Sequence, residues 1–515
     1  MKKFLKLLLT SALSVILILS SLAGCTPSEG IPEDSSTPAG SPIDTPLETP
    51  SETPGSTPSE TPESTPSETP KETDPIAPPE GEDYAWTVGF GSREIAIPED
   101  PKTPLYIAGY NQGVKITSVR DLQRANAIWI DAEDTAGGIM IISIDCVGLA
   151  SKYVKEIRSR LADFTAESGC AAINVISTHT HAGLDTFGLW GPQGVDGKNE
   201  EFMENLINAA VDAAKAAYAD RSEGTLHYSF VKTATSFLRD SRYPIVLDPN
   251  LYQIRFEPRD DAQNGIRIVS YGAHAESLRG ANTILSRDYP GEVSDIIFDK
   301  TGDDMLYLPG PIGGLVMTEE IVSPFNAVKN LEVTGKKLAD YLLSIKESAE
   351  IEIAPILSHV RESLEVPVEN GVFKLYKQLG ILDNEIYNDD SGSVIVKSEL
   401  NLISIGGKEG ILFGLIPGEI FPELVTGKAL KAGDPEALSL TAKNAGYANL
   451  ITVNLANDEL GYIVPPSDFI VHPTNPYFQR YEVNGEDHYE ETNSVGKQCA
   501  VKIAATFASA LSKLK

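Results

Sequence analysis

Only 7 histidines occur among 515 residues, and two of them, His179 and His181, stand two apart at the end of the apolar run Ile173-Asn174-Val175-Ile176-Ser177-Thr178. Residues two apart in an extended strand share a face. The spacing therefore predicts two imidazoles side by side where a buried strand stops at Ala182-Gly183. Such a pair offers two nitrogen ligands to one metal, or one ligand and one proton carrier. The plainer alternative is a hydrogen-bonded pair that merely ends a strand; with histidine so scarce, the functional reading is preferred. Other chemistry-bearing residues stand where apolar strand patterns stop: His274 after Val269-Ser270-Tyr271, Glu419 after Leu415-Ile416, and Tyr462 after the run Leu450–Leu455. Singly, each has a structural explanation: a satisfied histidine, a helix-capping glutamate, a half-buried tyrosine. A site assembled from dispersed sequence would nonetheless look like this.

The elements that must position these residues are legible in outline. Ala125–Ile130 and Gly138–Cys146 read as a strand pair around the turn at 131–137, and the nearly all-apolar second strand is expected to be covered on both faces. A helix pattern from about Lys152 to Ser168 leads into the strand that ends at the histidines. Strand, helix, strand at this spacing predicts a βαβ unit with a parallel sheet, whose sites form outside the carboxyl ends of its strands. Asp145 and His179 both lie at such ends and are expected in one crevice. Asn199–Arg221 is the best helix pattern, with Phe202, Leu206, Ala209, Ala213 and Ala217 on one stripe and Glu200 and Glu201 suited to its positive first turn. Strand patterns follow at Gly224–Val231, Leu251–Phe256 and Gly265–Tyr271, then a helix near Gly335–Glu350, strands at Ser393–Ile405 and Gly410–Leu415, and a final helix over Gly496–Leu514. The predicted class is α/β with mixed β-sheets flanked by helices. Gly310-Pro311-Ile312-Gly313-Gly314 lacks the following lysine of a phosphate loop.

Residues 1–25 carry an export signal: Lys2, Lys3 and Lys6, then an apolar run too short for a confident membrane span, then Leu22-Ala23-Gly24-Cys25. The last four resemble a bacterial lipobox. That resemblance implies cleavage before Cys25, lipidation of its thiol, and a protein tethered to the outer face of a bacterial cell membrane. Residues 26–83 hold 14 Pro and almost no large apolar residues, so they cannot bury enough surface to offset ordering entropy and are expected to be a disordered, extended stalk. Residues 84–515 form the folded part. The linker carries 14 acids against 1 Lys and the signal +3, which leaves −31 + 13 − 3 = −21 on the folded part. So acidic a body excludes long-range attraction to nucleic acid or an anionic surface. Cys146, Cys170 and Cys499 remain after Cys25; an exported chain could pair two of them, but their spacing writes no disulfide framework. Oligomeric state is not readable.

Taken in order, the segments Thr-His-Thr-His-x-Gly at 178–183, Ala-His at 273–274, Ser-x-Asp-Tyr-Pro-Gly at 286–291, Pro-Gly-Glu at 417–419 and Ala-Asn-Asp-x-x-Gly-Tyr at 456–462 resemble the neutral/alkaline (non-lysosomal) ceramidase family over about 86–510. Val88-Gly89-Phe90-Gly91 and the Ala-Gly-Tyr turn at 108–110 resemble that family's opening. The resemblance implies Zn2+ bound by His179, His274, Glu419 and Tyr462, with His181 beside it moving protons. It implies a substrate-facing hydroxyl from Tyr481, in Arg480-Tyr481-Glu482, and an arginine, Arg242, that polarises the scissile group. Zinc would lower the pKa of bound water to about 7 and supply a nucleophile at neutral pH.

The departures are equally specific. The family's serine nucleophile aligns with Val316, which can neither attack nor hydrogen-bond through its side chain. The residues after the histidines are altered to Ala182-Gly183-Leu184-Asp185-Thr186, the 463–480 stretch is long, and the family's C-terminal immunoglobulin-like domain has no counterpart. The expected function is a surface-anchored zinc hydrolase that cleaves an N-acyl amide in a lipid or related small substrate with metal-activated water. The competing expectation, carried by Val316, is a binding lipoprotein that keeps the fold without the chemistry.

Overall fold

A computed structural model describes residues 85–99, 101–132, 137–260, 262–319 and 326–514. The signal, the lipobox and the linker of the sequence reading lie outside them. The larger of two main sheets has nine strands. Along the chain these are β1 (Trp86–Glu94), β2 (Arg124–Ala132), β3 (Ile139–Ile144), β4 (Ala172–Ser177), β5 (Ser222–Lys232), β6 (Asn250–Pro258), β7 (Ile266–Tyr271), β8 (Asp304–Pro309) and β9 (Ile351–Ile353). Their order is β8-β7-β6-β5-β1-β2-β3-β4, with β9 beside β5. Only β3–β4 and β7–β8 pair in parallel, so the sheet is mixed. The predicted βαβ unit is present as that β3–β4 pair. Its helix is broken at Leu161 into α1 (Ser151–Arg160) and α2 (Ala162–Ser168).

The second sheet has five strands: β10 (Leu357–Pro367), β11 (Glu385–Asn388), β12 (Val394–Ile405), β13 (Ile411–Leu415) and β14 (Asn449–Val453). Its order is β10-β12-β13-β14, with β11 beside β12. The two sheets pack face to face: Ile128, Ile141, Phe256 and Leu306 of the first meet Ile403, Ile411, Phe413 and Val453 of the second in one core. This apolar interface is the main reason both sheets stay dry.

Helices close the outer faces. α3 (Glu200–Asp220) buries Phe202, Leu206, Ala210, Ala213 and Ala217 against β1–β3. It lies so close that a Cβ at Gly91 would stand 2.3 Å from the Ala213 carbonyl oxygen, so only glycine fits there. Asn199 caps this helix by accepting from the Phe202 N–H at 3.0 Å. α4 (Asp288–Thr301) and α5 (Ala327–Leu343) cover the β7–β8 edge, and α7 (Gln498–Lys513) covers the second sheet through Ile503, Phe507 and Ala510. Between them in sequence, α6 (Gly371–Leu379) is a short helix that buries no residue fully. Cys146, Cys170 and Cys499 are buried and unpaired.

Candidate metal centre

Four strands, two from each sheet, end at one place. Just past β4 lies His179, past β7 His274, past β13 Glu419, and past β14 Tyr462. Backbone hydrogen bonds clip the ends together. The Ser177 N–H donates to the Leu455 carbonyl at 3.2 Å, Asn457 to Val175 at 2.7 Å, and Ala456 to Ile416 at 3.0 Å. The two-residue strands Glu419–Ile420 and Tyr462–Ile463 pair in parallel with Glu419 opposite Tyr462, which sets a carboxylate and a phenol side by side.

The histidine pair converges, but not through strand alternation. β4 stops at Ser177, and His179 has φ +64°, in the left-handed region that a non-glycine residue occupies only where its surroundings hold it. The His179 N–H donates to Cys146 and the His181 N–H to Ala275, both at 2.9 Å. A turn, not an extended strand, brings the two rings to 4.7 Å between centroids.

The tautomers follow from what stands behind each ring. His179 Nδ1 is 2.5 Å from the Val147 carbonyl and His274 Nδ1 is 2.8 Å from the Val316 carbonyl, so both donate there and turn the lone pair of Nε2 inward. Those lone pairs meet another acceptor: Glu419 Oε2 lies 3.0 Å from His274 Nε2 and 3.5 Å from His179 Nε2. Acceptors held face to face require a cation, a proton or a metal, between them. A tetrahedral zinc with bonds of about 2.0–2.2 Å has ligand–ligand edges of about 3.3–3.6 Å, close to these separations. The ligand atoms of His179, His181 and His274 all lie within 4.8 Å of one another. The three-histidine cluster could therefore hold a metal ion.

Electrostatics agree. Burial works against a charged His179, but Glu419 outweighs it and raises the imidazole to about 9. Burial likewise opposes ionised Glu419, yet His179 and His274 hold it well below the usual carboxylate range. Burial, then the charges of His179 and His274, push His181 well below its ordinary value. Burial and then Glu419 raise Tyr462 far above 10.

His179, His181, Glu419 and Tyr462 line an open cavity, and the fully buried His274 packs against His179 at its edge. Phe187, Leu189, Trp190, Phe373, Ile386 and Val396 make it largely apolar, and Glu419, Tyr462, Glu459 and Tyr489 supply polar groups beside the histidines. Burial and then Glu419 raise Glu459 to about 8.

Three residues expected at the site stand elsewhere. Arg242 is only 1 % exposed, and its guanidinium donates to Glu490 at 2.8 Å, Glu491 at 2.8 Å, the Asp468 carbonyl at 2.9 Å and His488 Nδ1 at 2.7 Å. With both terminal nitrogens held by these partners it does not line the cavity. Tyr481 packs edge-on against His472, with ring centroids 5.4 Å apart, and does not line it either. Its place is taken by Tyr489, whose ring is 6.1 Å from that of Tyr462. A Tyr-Glu dipeptide occurs at both 481–482 and 489–490, and the second is the one beside the histidines. Asp145 accepts from the Arg124 N–H at 2.9 Å and stays out of the cavity. Val316 is buried among Tyr271, Ala273 and Tyr289; the site uses its carbonyl and not its side chain.

A mixed α/β body of two packed sheets, with a histidine cluster able to take a metal at the strand ends, defines the class of protein. Solved structures make the likeness concrete. The chain superposes on the crystal structure of neutral ceramidase from Pseudomonas aeruginosa with a TM-score of 0.64 and 15 % identity, over 84 % of this chain and 74 % of that one. A ceramidase complexed with C2 matches with a TM-score of 0.65 and 14 % identity, over 83 % and 75 %. No family model matches the sequence, and no curated protein does. The fold is thus ceramidase-like over most of the chain.

Proposed function

We propose that the protein is a metal-dependent hydrolase of an amide (N-acyl) bond in a lipid or related small substrate, with zinc as the ion. The observation that carries this reading is the meeting of His179 and His274 with Glu419, acceptor against acceptor, in a three-histidine cluster beside a largely apolar cavity. His179, His274 and Glu419 would hold the ion, with Tyr462 beside Glu419. When bound, zinc supplies a Lewis acid and an activated water near neutral pH. The chain's own residues do the rest. Leu189, Trp190, Phe373 and Val396 take an apolar chain and exclude water from the reacting bond. Tyr489, which lines the cavity beside the histidines, would donate its hydroxyl to the developing oxyanion, and Tyr462, opposite Glu419, would complete the ligand set. Because Val316 has no nucleophile, attack cannot run through a side chain at that position.

The test is metal analysis of purified protein together with hydrolysis of a fluorogenic N-acyl amide. About one zinc per chain, with turnover abolished by a chelator and by Glu419→Gln, is expected. A folded protein with no transition metal overturns the reading. Metal without turnover on any N-acyl amide, but with ligand-dependent stabilisation, favours the binding lipoprotein suggested by Val316. The same proposal places the protein on the outer face of a bacterial membrane through lipidated Cys25, with residues 26–83 as stalk. Loss of membrane association in Cys25→Ser is the expected outcome.

A further inference from the structure

Glu459 lines the cavity of the metal corner, whereas Asn457, two residues earlier, lines a separate cleft between α1 and the second sheet. The sequence dictates what this cleft presents. Ser151, Val154, Lys155 and Arg158 fall at i, i+3, i+4 and i+7 of α1, a single stripe of the helix. Opposite them, the antiparallel register sets Arg361 of β10 across from Asn401 of β12, and Ser363 across from Glu399. Residues two apart on a strand share a face, so Arg361, Ser363, Lys397 and Glu399 stand on one face of the sheet, toward that stripe. Lys155, Arg158, Arg361 and Lys397 thus bring four cations to one cleft of a strongly acidic protein.

Only two of the four are matched. Lys155 is paired with Glu385. Arg158 engages both oxygens of Glu399, with Nη1 3.0 Å from Oε2 and Nη2 2.7 Å from Oε1, and Asn401 Nδ2 donates to Oε1 at 2.9 Å. The side chains of Arg361 and Lys397 are exposed and make no hydrogen bond or ion pair among the described residues. Even counting Asp458, which accepts from the Ser151 N–H at 2.9 Å, four cations face three carboxylates. Two lining residues carry a second signal. Ser151 and Ser398 are only 7 % and 8 % exposed, yet neither hydroxyl has a hydrogen-bond partner. Solvent can serve an exposed charge, and an ordered water can serve a buried hydroxyl. Their concurrence in one cleft is what an oxyanion would meet, with charge balance from two cations and donors for its oxygens from below.

We propose that the cleft between α1 and the β10–β12 face binds a phosphate-type oxyanion, free or carried as a monoester, with Arg361 and Lys397 supplying the charge and the Ser151 and Ser398 hydroxyls donating to its oxygens. A tetrahedral dianion suits this set because it accepts from several donors at once and offsets two unmatched cations. An adjoining pocket that contains His359 and Asn401 shares Arg158 and Arg361 with the cleft, and it leaves room beside the anion for the organic part of an ester. This inference rests neither on the metal nor on the hydrolase reading.

The test is isothermal titration calorimetry of the metal-loaded, full-length protein with inorganic phosphate and with glycerol 3-phosphate, with chloride at matched ionic strength as the blank. Binding at one site per chain is expected. Arg361→Ala and Lys397→Ala are each expected to weaken it about 10–100-fold, as loss of a charge-assisted hydrogen bond does, with the melting temperature in chloride unchanged. Tighter binding of glycerol 3-phosphate would identify a monoester as the ligand, and tighter binding of inorganic phosphate the free ion. No heat above the chloride blank with either probe overturns the inference. So does an affinity that is unchanged in the double variant Arg361→Ala, Lys397→Ala, the result expected if the anion sat on the metal instead.

Discussion

Replacing Arg242 by methionine separates the two roles this residue could have. If its guanidinium polarised a substrate, the change would abolish turnover and leave the fold alone. The structure predicts the reverse emphasis. Arg242 is almost wholly inaccessible, and its removal strands Glu490 and Glu491, which are 2 % and 0 % exposed. Breaking one partner out of a buried ion cluster costs about 3–5 kcal/mol, because the charge left behind is uncompensated. A folded part of about 430 residues has an unfolding entropy of roughly 0.9 kcal/mol/K near its midpoint, at about 2.1 cal/mol/K per residue. The melting temperature should therefore fall by about 3–6 °C, read by calorimetry on metal-loaded protein. Tyr489 directly precedes Glu490, so turnover should fall too, but zinc content should not, since none of the groups that Arg242 bonds is a proposed metal ligand. The double variant Arg242→Met, Glu491→Gln should regain part of the lost stability, the two changes being coupled. A melting temperature within 1 °C of wild type (about 1 kcal/mol on the same scale), with turnover gone, would refute this reasoning and return the guanidinium to the substrate.

Other perturbations probe other parts of the site. Val316→Ser introduces the residue type that the resembled ceramidases carry there but buries a hydroxyl in an apolar cluster; we expect a cost of about 1–3 kcal/mol by denaturant titration and no gain in turnover. Glu423 is raised to about 8 by burial and then by Asp240 and Asp468. The folded state therefore keeps its proton above the ordinary 4.5, so its contribution to stability is full below that value and is lost as pH rises through about 8. Denaturant titrations at acid and alkaline pH should show wild type weakening across that window and Glu423→Gln weakening less. Gly109→Ala, whose Cβ would strike the His181 ring, should displace that imidazole from the cluster and lower turnover of an N-acyl amide without unfolding the protein, as calorimetry on the same sample would show.

Strand existence and class were legible because their cause is local: β3, β4, β12 and β13 are apolar runs bounded by turns, and they appear within a residue or two of expectation. α5 was not. Its expected span of Gly335–Glu350 follows the polar-apolar pattern, but the helix begins at Ala327 because Asn326 caps it through the Lys329 N–H, and it ends at Leu343. β10 was unread because its half-exposed pattern, set by pairing with β12 along its whole length, carries little apolar signal of its own. The site divides along the same line. His179, His274, Glu419 and Tyr462 are visible as polar residues at strand ends, since strand ends are local. Arg242 meets carboxylates 248 and 249 positions away, and which of two Tyr-Glu dipeptides lies beside the histidines is decided by packing and not by the dipeptide itself, which is why Arg242 and Tyr481 read as site residues and Tyr489 did not.

The inward lone pairs belong to neither category. No residue type predicts that Val147 and Val316 will take the Nδ1 protons of His179 and His274; both are apolar residues acting through carbonyls. Yet those two hydrogen bonds turn a histidine-rich corner into a set of acceptors that repel one another without a cation. This also accounts for Val316 without invoking lost function. The backbone at 316 holds His274 through both its N–H and Nδ1, each at 2.8 Å, and any residue that leaves this backbone undisturbed can do so. A side chain there is free to change while the histidine geometry stays, so valine at 316 is compatible with a corner able to hold a metal.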